Sequence, residues 1–222
     1  MSVRESVLGT LKDGREVKRY TITNQHGTEA SFTNLGAIWL TMLVRDKDGK
    51  MRDVVLGVDQ AELLLENPGH MGEPVGRNAN RIGQAGFDLN GKHYALAVND
   101  NGANNLHSGP DFYHTRMWEV TASSENAVSF HLESPNGDQG YPGNASIDVT
   151  YSLDEKGGLH IAYDAVSDHD TIFNLTNHSY FNLAGQGSTD TAMDQVLMLP
   201  ARGFSVADNQ SIPTGEMRSV EG

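Results

Sequence analysis

Alternation of apolar and polar side chains between residues 147 and 165 restricts this chain more than any other feature. Ile147, Val149, Tyr151 and Leu153 alternate with small or polar residues, Asp154-Glu155-Lys156-Gly157-Gly158 turns the chain, and Leu159, Ile161, Tyr163 and Ala165 alternate again. A period of two puts these apolar side chains on one face of an antiparallel hairpin, which a helical period of 3.6 would scatter.

The same period recurs elsewhere. Val128, Phe130 and Leu132 form an alternating strand after the turn Ser123-Ser124-Glu125-Asn126. Phe87-Asp88-Leu89 and Lys92-His93-Tyr94 flank Asn90-Gly91, a strong hairpin signal because a type I′ turn needs positive φ at both central residues. Helix evidence is thin: Asp59 followed by Glu62 resembles a capping box opening Ala61-Glu62-Leu63-Leu64-Leu65, ended by Asn67-Pro68. Many short strands separated by Gly, Asn and Asp turns predict an all-β fold, an antiparallel sandwich or barrel. No repeat, linker or low-complexity tract divides the sequence, so a single domain over residues 1–222 is expected.

Composition narrows the partners. The net charge of −13 repels a phosphate backbone or an anionic membrane, so neither nucleic acid nor membrane is an expected partner. Cysteine is absent, which excludes disulfides, thiol nucleophiles and thiolate metal sites. The longest apolar run, Leu35 to Val44, contains Gly36 and Thr41 and is far shorter than the roughly 20 residues a spanning helix needs. Met1-Ser2-Val3-Arg4-Glu5 carries no secretory pattern, so the cytoplasm is the expected compartment.

Three polar segments carry candidate chemistry. In Gly76-Arg77-Asn78-Ala79-Asn80-Arg81-Ile82, two guanidiniums and two amides could form a fork of donors for hydroxyl or carboxylate oxygens. Pairing of both arginines with surface carboxylates would explain the same spacing. The second segment, Asn99 to Gly109, contains Asn104-Asn105-Leu106-His107-Ser108-Gly109 and reads first as a loop.

The third, Ile172 to Leu183, is the most informative. Read as one strand, it sets Phe173, Leu175, Phe181 and Leu183 on a core face interrupted by Asn177 and Ser179, and Asn174, Thr176, His178, Tyr180 and Asn182 on the other. A row of neutral donors and acceptors around one imidazole suits a sugar, whose hydroxyls need partners of both kinds. Histidine is also the commonest proton-transfer group near neutral pH. A satisfied histidine on a polar sheet face remains the alternative. None of the nine histidines has an i, i+2 or H-E-x-x-H partner, so no metal site is expected.

At these residues the sequence resembles the aldose 1-epimerases, the galactose mutarotase family. The matching stretches are Val75 to Ile82, Asn105 to Gly109, Gly140-Tyr141-Pro142-Gly143-Asn144 and Thr176 to Leu183, in the same order and spacing. The resemblance implies a large antiparallel β-sandwich, the galactose mutarotase-like supersandwich, with a sugar site on its concave face. It implies interconversion of the α and β anomers of free aldohexoses such as galactose and glucose, with no cofactor. His178 matches the general acid that protonates the ring oxygen, and His107 matches a second active-site histidine. Asn80 and Arg81 match hydroxyl-binding residues. Arg77 and Tyr180 join the expected substrate-binding set, Tyr180 because it shares the His178 face.

Two departures stand out. Ser108 follows His107 where the family usually has glycine, which narrows the backbone freedom of that loop. The segment Pro213 to Gly222 matches a part of the family that precedes a sugar-binding aspartate and the catalytic glutamate. The resemblance therefore implies a chain incomplete at its C-terminal end, with impaired catalysis, poor solubility and exposed sheet edges expected. A non-catalytic sugar-binding module is the competing reading. A hexose-6-phosphate epimerase relative would need a cationic cluster that Arg77 and Arg81 alone do not make.

Overall fold

A computed structural model describes residues 1–221. Two antiparallel sheets form the bulk of the fold. The first runs in chain order through Ser2–Thr10, Glu16–Thr23, Glu29–Thr33, Trp39–Arg45 and Met51–Asp53. The second runs through Glu119–Ser123, Ala127–Ser134, Ala145–Leu153 and Leu159–Ser167. They face each other across an apolar core, as the all-β sandwich reading requires.

The period-two alternation over residues 147–165 sets this packing. Ile147, Val149, Tyr151 and Leu153 are fully buried, and Leu153 pairs with Leu159 across the Asp154–Gly158 turn. Phe32 of the first sheet stacks on Tyr151 of the second at 4.1 Å between ring centroids, and Tyr20 meets Phe130 edge-on at 5.6 Å. Each such side chain contributes about 1.5–3 kcal/mol by leaving water. The Tyr151 hydroxyl donates to the Ala37 carbonyl at 2.8 Å, so its polar end is buried with a partner. Asn90 and Gly91 adopt φ of 52° and 75°, the conformation expected of a two-residue hairpin turn.

The one α-helix among the described residues, Ala61–Glu66, packs Ala61 and Leu64 against Leu11, Val17, Leu35, Ile38 and Leu40. Its expected capping box does not form. Gln60 is the N-cap, without a side-chain bond, and Glu62 instead accepts the Lys12 backbone N–H at 2.6 Å. No helix among the described residues is long and apolar enough to cross a membrane.

The segment Ile172 to Leu183 departs from the single strand expected of it. It changes partners along its length: Thr176–Asn177 pairs with Pro74–Val75, and Tyr180–Phe181 pairs with Val55–Leu56. Between these ladders the His178 amide donates to the Glu73 carbonyl, and the Gly72 amide donates to the His178 carbonyl. Gly72 has φ of 70°, and a Cβ there would lie 2.0 Å from the Trp39 carbonyl oxygen, so only glycine fits this junction. Phe173 and Leu175 reach the core as expected, but Phe181 and Leu183 are 52% and 65% exposed. A strand held by two-residue ladders to different neighbours does not present one continuous face to one core.

Candidate functional site

Short ladders outside the two main sheets bring the polar segments together. Arg81–Ile82 pairs with Asn105–Leu106, while Pro74–Val75 pairs with Thr176–Asn177. Between them lies a cavity of about 590 Å³ whose lining includes Asn80, Arg81, His107, His178 and Tyr180, together with His70. His107 and His178 stand 5.2 Å apart between ring centroids at 89°, and the Tyr180 ring is 5.2 Å from that of His178. A separate cavity of about 660 Å³, over Tyr94, Tyr141 and His169, holds none of the expected site residues.

His107 is oriented by its own loop. Its backbone N–H donates to the Asn80 carbonyl at 3.0 Å, and its Nδ1 accepts the Asn80 backbone N–H at 2.9 Å. With Nδ1 accepting, the hydrogen of the neutral ring sits on Nε2, making that atom a donor. Burial, with a smaller contribution from repulsion by His70 and His178 whenever those rings carry a proton, pushes the His107 pKa down to about 4. The ring is therefore neutral at pH 7.

Asn80, His107 and Ser108 all occupy left-handed backbone conformations, with φ of 64°, 55° and 59°. Such conformations are unfavourable for residues other than glycine and persist where surrounding bonds hold them. Ser108 shows how its departure from glycine is accommodated. Its buried hydroxyl accepts the Asn78 N–H at 2.9 Å and lies 3.1 Å from both the Asn78 carbonyl and the Tyr141 hydroxyl.

The two arginines separate into different roles. Arg81 lines the cavity and lays its guanidinium along Asp100, at 3.0 and 3.4 Å, while Nη1 reaches the Asn80 amide oxygen at 3.3 Å. Arg77, expected at the sugar, is wholly buried away from the cavity. It donates to the carbonyls of Pro142 at 2.7 Å, Ser134 at 2.8 Å and Gly143 at 2.9 Å, and to the Thr171 hydroxyl at 3.2 Å. Its five N–H donors are a good match for a crossing of irregular backbone, whose carbonyls would otherwise be buried unpaired. The same bonds explain the Gly140-Tyr141-Pro142-Gly143-Asn144 motif, which supplies two of those carbonyls.

Sequence reasoning passed over His70, Glu73 and His114. Glu73 is buried, with Oε1 2.8 Å from His70 Nδ1 and Oε2 2.5 Å from His114 Nδ1. Burial works against its charge, but the hydrogen bonds from His114 and His70 outweigh that and hold its carboxyl below its ordinary value. These three residues are the one cluster of metal-ligand type among the described residues. Their donors already contact one another, whereas ligands around a tetrahedral ion with bonds of about 2.0–2.1 Å stand roughly 3.3 Å apart. As folded, Glu73 is hydrogen-bonded to His70 and in close charge contact with His114, so the three form a paired cluster rather than an open ligand set. The available signal was an isolated glutamate in the otherwise uncharged run Gly72-Glu73-Pro74-Val75-Gly76.

Comparison with known proteins gives a consistent picture. A family model described as aldose 1-epimerase matches residues 18–222. A galactose mutarotase from Bos taurus is 40% identical over 100% of this chain and 64% of its own length. An aldose 1-epimerase from Haemophilus influenzae is 37% identical over 94% of this chain and 60% of its own. The crystal structure of a galactose 1-epimerase from Lactobacillus acidophilus superposes with a TM-score of 0.86 at 27% identity, covering 100% of this chain and 64% of that one. The chain thus spans slightly under two thirds of the length of these relatives.

Proposed function

Because the chain belongs to the aldose 1-epimerase family, we propose that its cavity binds a free aldohexose in pyranose form and that His178 is the general acid of anomer interconversion. The observation that carries this reading is the meeting of His107 and His178, 5.2 Å apart, in one cavity with Asn80, Arg81 and Tyr180.

Ring opening needs one proton added at the ring oxygen and one removed from the C1 hydroxyl as the bond between C1 and the ring oxygen breaks. The open aldehyde turns about its C1–C2 bond, and reclosure on the other face gives the second anomer. His178 protonates the ring oxygen, and with no carboxylate among the described residues that line the cavity, the C1 hydroxyl proton passes to water. The neutral His107 donates from Nε2 to a sugar oxygen, and Asn80 and Arg81 bind hydroxyls through the donors that Asp100 leaves free. Tyr180 offers a ring and a hydroxyl beside His178. A positioned general acid typically contributes about 10²–10⁴-fold, a measurable gain for a reaction that proceeds unaided in water.

One observation favours a second reading, sugar binding without catalysis: no carboxylate is among the described residues lining the cavity. Polarimetry of freshly dissolved α-galactose separates the two. Catalysis predicts relaxation faster than in buffer, abolished by His178→Ala. Relaxation at the buffer rate, with binding heat in calorimetry, leaves the binding module; no heat and no acceleration removes both.

A further inference from the structure

His70 lies beside the two expected histidines, with its ring centroid 4.9 Å from that of His107 and 5.8 Å from that of His178. Resting on the sugar-site reading above, we propose that His70 is a third substrate-contacting imidazole, whose Nε2 accepts a hydrogen bond from a sugar hydroxyl, and that Glu73 is its positioning residue.

The polarity of the ring follows from its partner. An ionised carboxylate can only accept, so His70 Nδ1, 2.8 Å from Glu73 Oε1, carries a hydrogen and donates it. In the neutral ring the lone pair is then on Nε2. That atom has no hydrogen-bond partner among the described residues and is not sealed from solvent, and His70 lines the cavity. His107 is held the opposite way, with Nδ1 accepting and Nε2 donating. Two adjacent imidazoles of opposite polarity match sugar hydroxyls, which both donate and accept.

The support behind His70 exceeds what a surface ion pair needs. His70 itself has φ of 57°, the same left-handed region as Asn80 and His107 across the cavity. Its ring is braced edge-on by Phe112 at 5.0 Å. Behind it, Glu73 is fixed from the far side by His114, whose Nε2 lies 3.3 Å from the Leu65 carbonyl. The chain of contacts runs from buried backbone to a ring nitrogen facing the cavity, the arrangement by which a carboxylate fixes the tautomer of a working histidine.

Long-range ¹H–¹⁵N spectra of the histidine rings test this directly, because they distinguish a protonated ring nitrogen from a bare one. The expected result is a His70 ring with hydrogen on Nδ1 and a bare Nε2 that shifts when D-galactose is added, together with His107 and His178. Glu73→Gln and His70→Ala should each weaken galactose binding about three- to tenfold, the size of one hydrogen bond, with little further loss when combined. Glu73 is buried, so its variant can fail to fold; the wild-type spectra and His70→Ala decide the matter without it. A sugar that moves His107 and His178 but leaves His70 unmoved overturns the proposal and spares the sugar site. A response at none of the three histidines overturns the sugar site, and this proposal with it.

Discussion

On one side of the cavity, residues 76–81 and 105–108 are fixed by side-chain bonds: Arg77 to four backbone carbonyls, Ser108 to Asn78, His107 to Asn80. On the other, residues 172–181 are held by two-residue ladders and run on into a stretch where Val196, Leu197, Met198 and Leu199 are 70–98% exposed. Both walls carry a histidine and both are rich in asparagine. The difference is in what fixes them. The first wall is set by side chains that satisfy irregular backbone, the second by backbone pairing that changes partner every few residues.

The largest effect expected from this contrast is on folding stability. Phe32 is fully buried and stacked on Tyr151, so Phe32→Ala should cost about 3–5 kcal/mol in urea denaturation. Leu197 is 78% exposed, and Leu197→Ala should change stability by about 0.5 kcal/mol or less. Equal losses at the two positions would mean that the exposed run beyond the second wall is packed as the core is.

That contrast also marks what was legible beforehand. Alternation over residues 127–165 specifies side-chain faces because each strand there keeps the same neighbours along most of its length, as Ala145–Leu153 does with Ala127–Ser134 and Leu159–Ser167. The same counting over residues 172–183 succeeds for Phe173 and Leu175 and fails for Phe181 and Leu183, since period two reports direction and not which strand, if any, lies opposite. At the site, the residues found by motif lie within contiguous segments. The His70–Glu73–His114 unit joins the turn at residues 70–73 to the short helical turn Tyr113–Thr115, about forty positions on, and no spacing rule describes it. Arg77 illustrates a related limit of sequence: an arginine beside a binding motif looks the same whether its donors meet ligand or, as here, buried carbonyls.

The two arginines give the next test, smaller in stability but sharper in interpretation. Arg77→Ala leaves the carbonyls of Ser134, Pro142 and Gly143 without their donor and should cost about 3 kcal/mol, with the first wall loosened. Arg81→Ala removes a partly exposed pair with Asp100, worth about 1 kcal/mol or less, yet should weaken sugar binding in calorimetry. If Arg81→Ala destabilises as much as Arg77→Ala, the division of labour within the motif is wrong.

The smallest effect is a pH dependence specific to the first wall. His107 has a folded-state pKa of about 4 and an unfolded value near 6.5, so between those values the unfolded chain holds a proton that the folded chain does not. Stability from this residue is fully present above about pH 6.5 and declines as pH falls toward 4. His131 acts in the opposite sense: burial lowers its pKa, but hydrogen bonds to Glu133 and Asp148 outweigh that and raise it, so its contribution fades as pH rises. The informative quantity is therefore the difference between wild type and His107→Gln. Urea midpoints measured at pH 7 and pH 5 should fall more in wild type than in the variant. NMR titration should find the His107 ring still neutral at pH 5. A ring that protonates near 6.5 would mean that neither burial nor the neighbouring imidazoles act on it as the fold implies, and the donor role assigned to its Nε2 would lose its tautomeric basis.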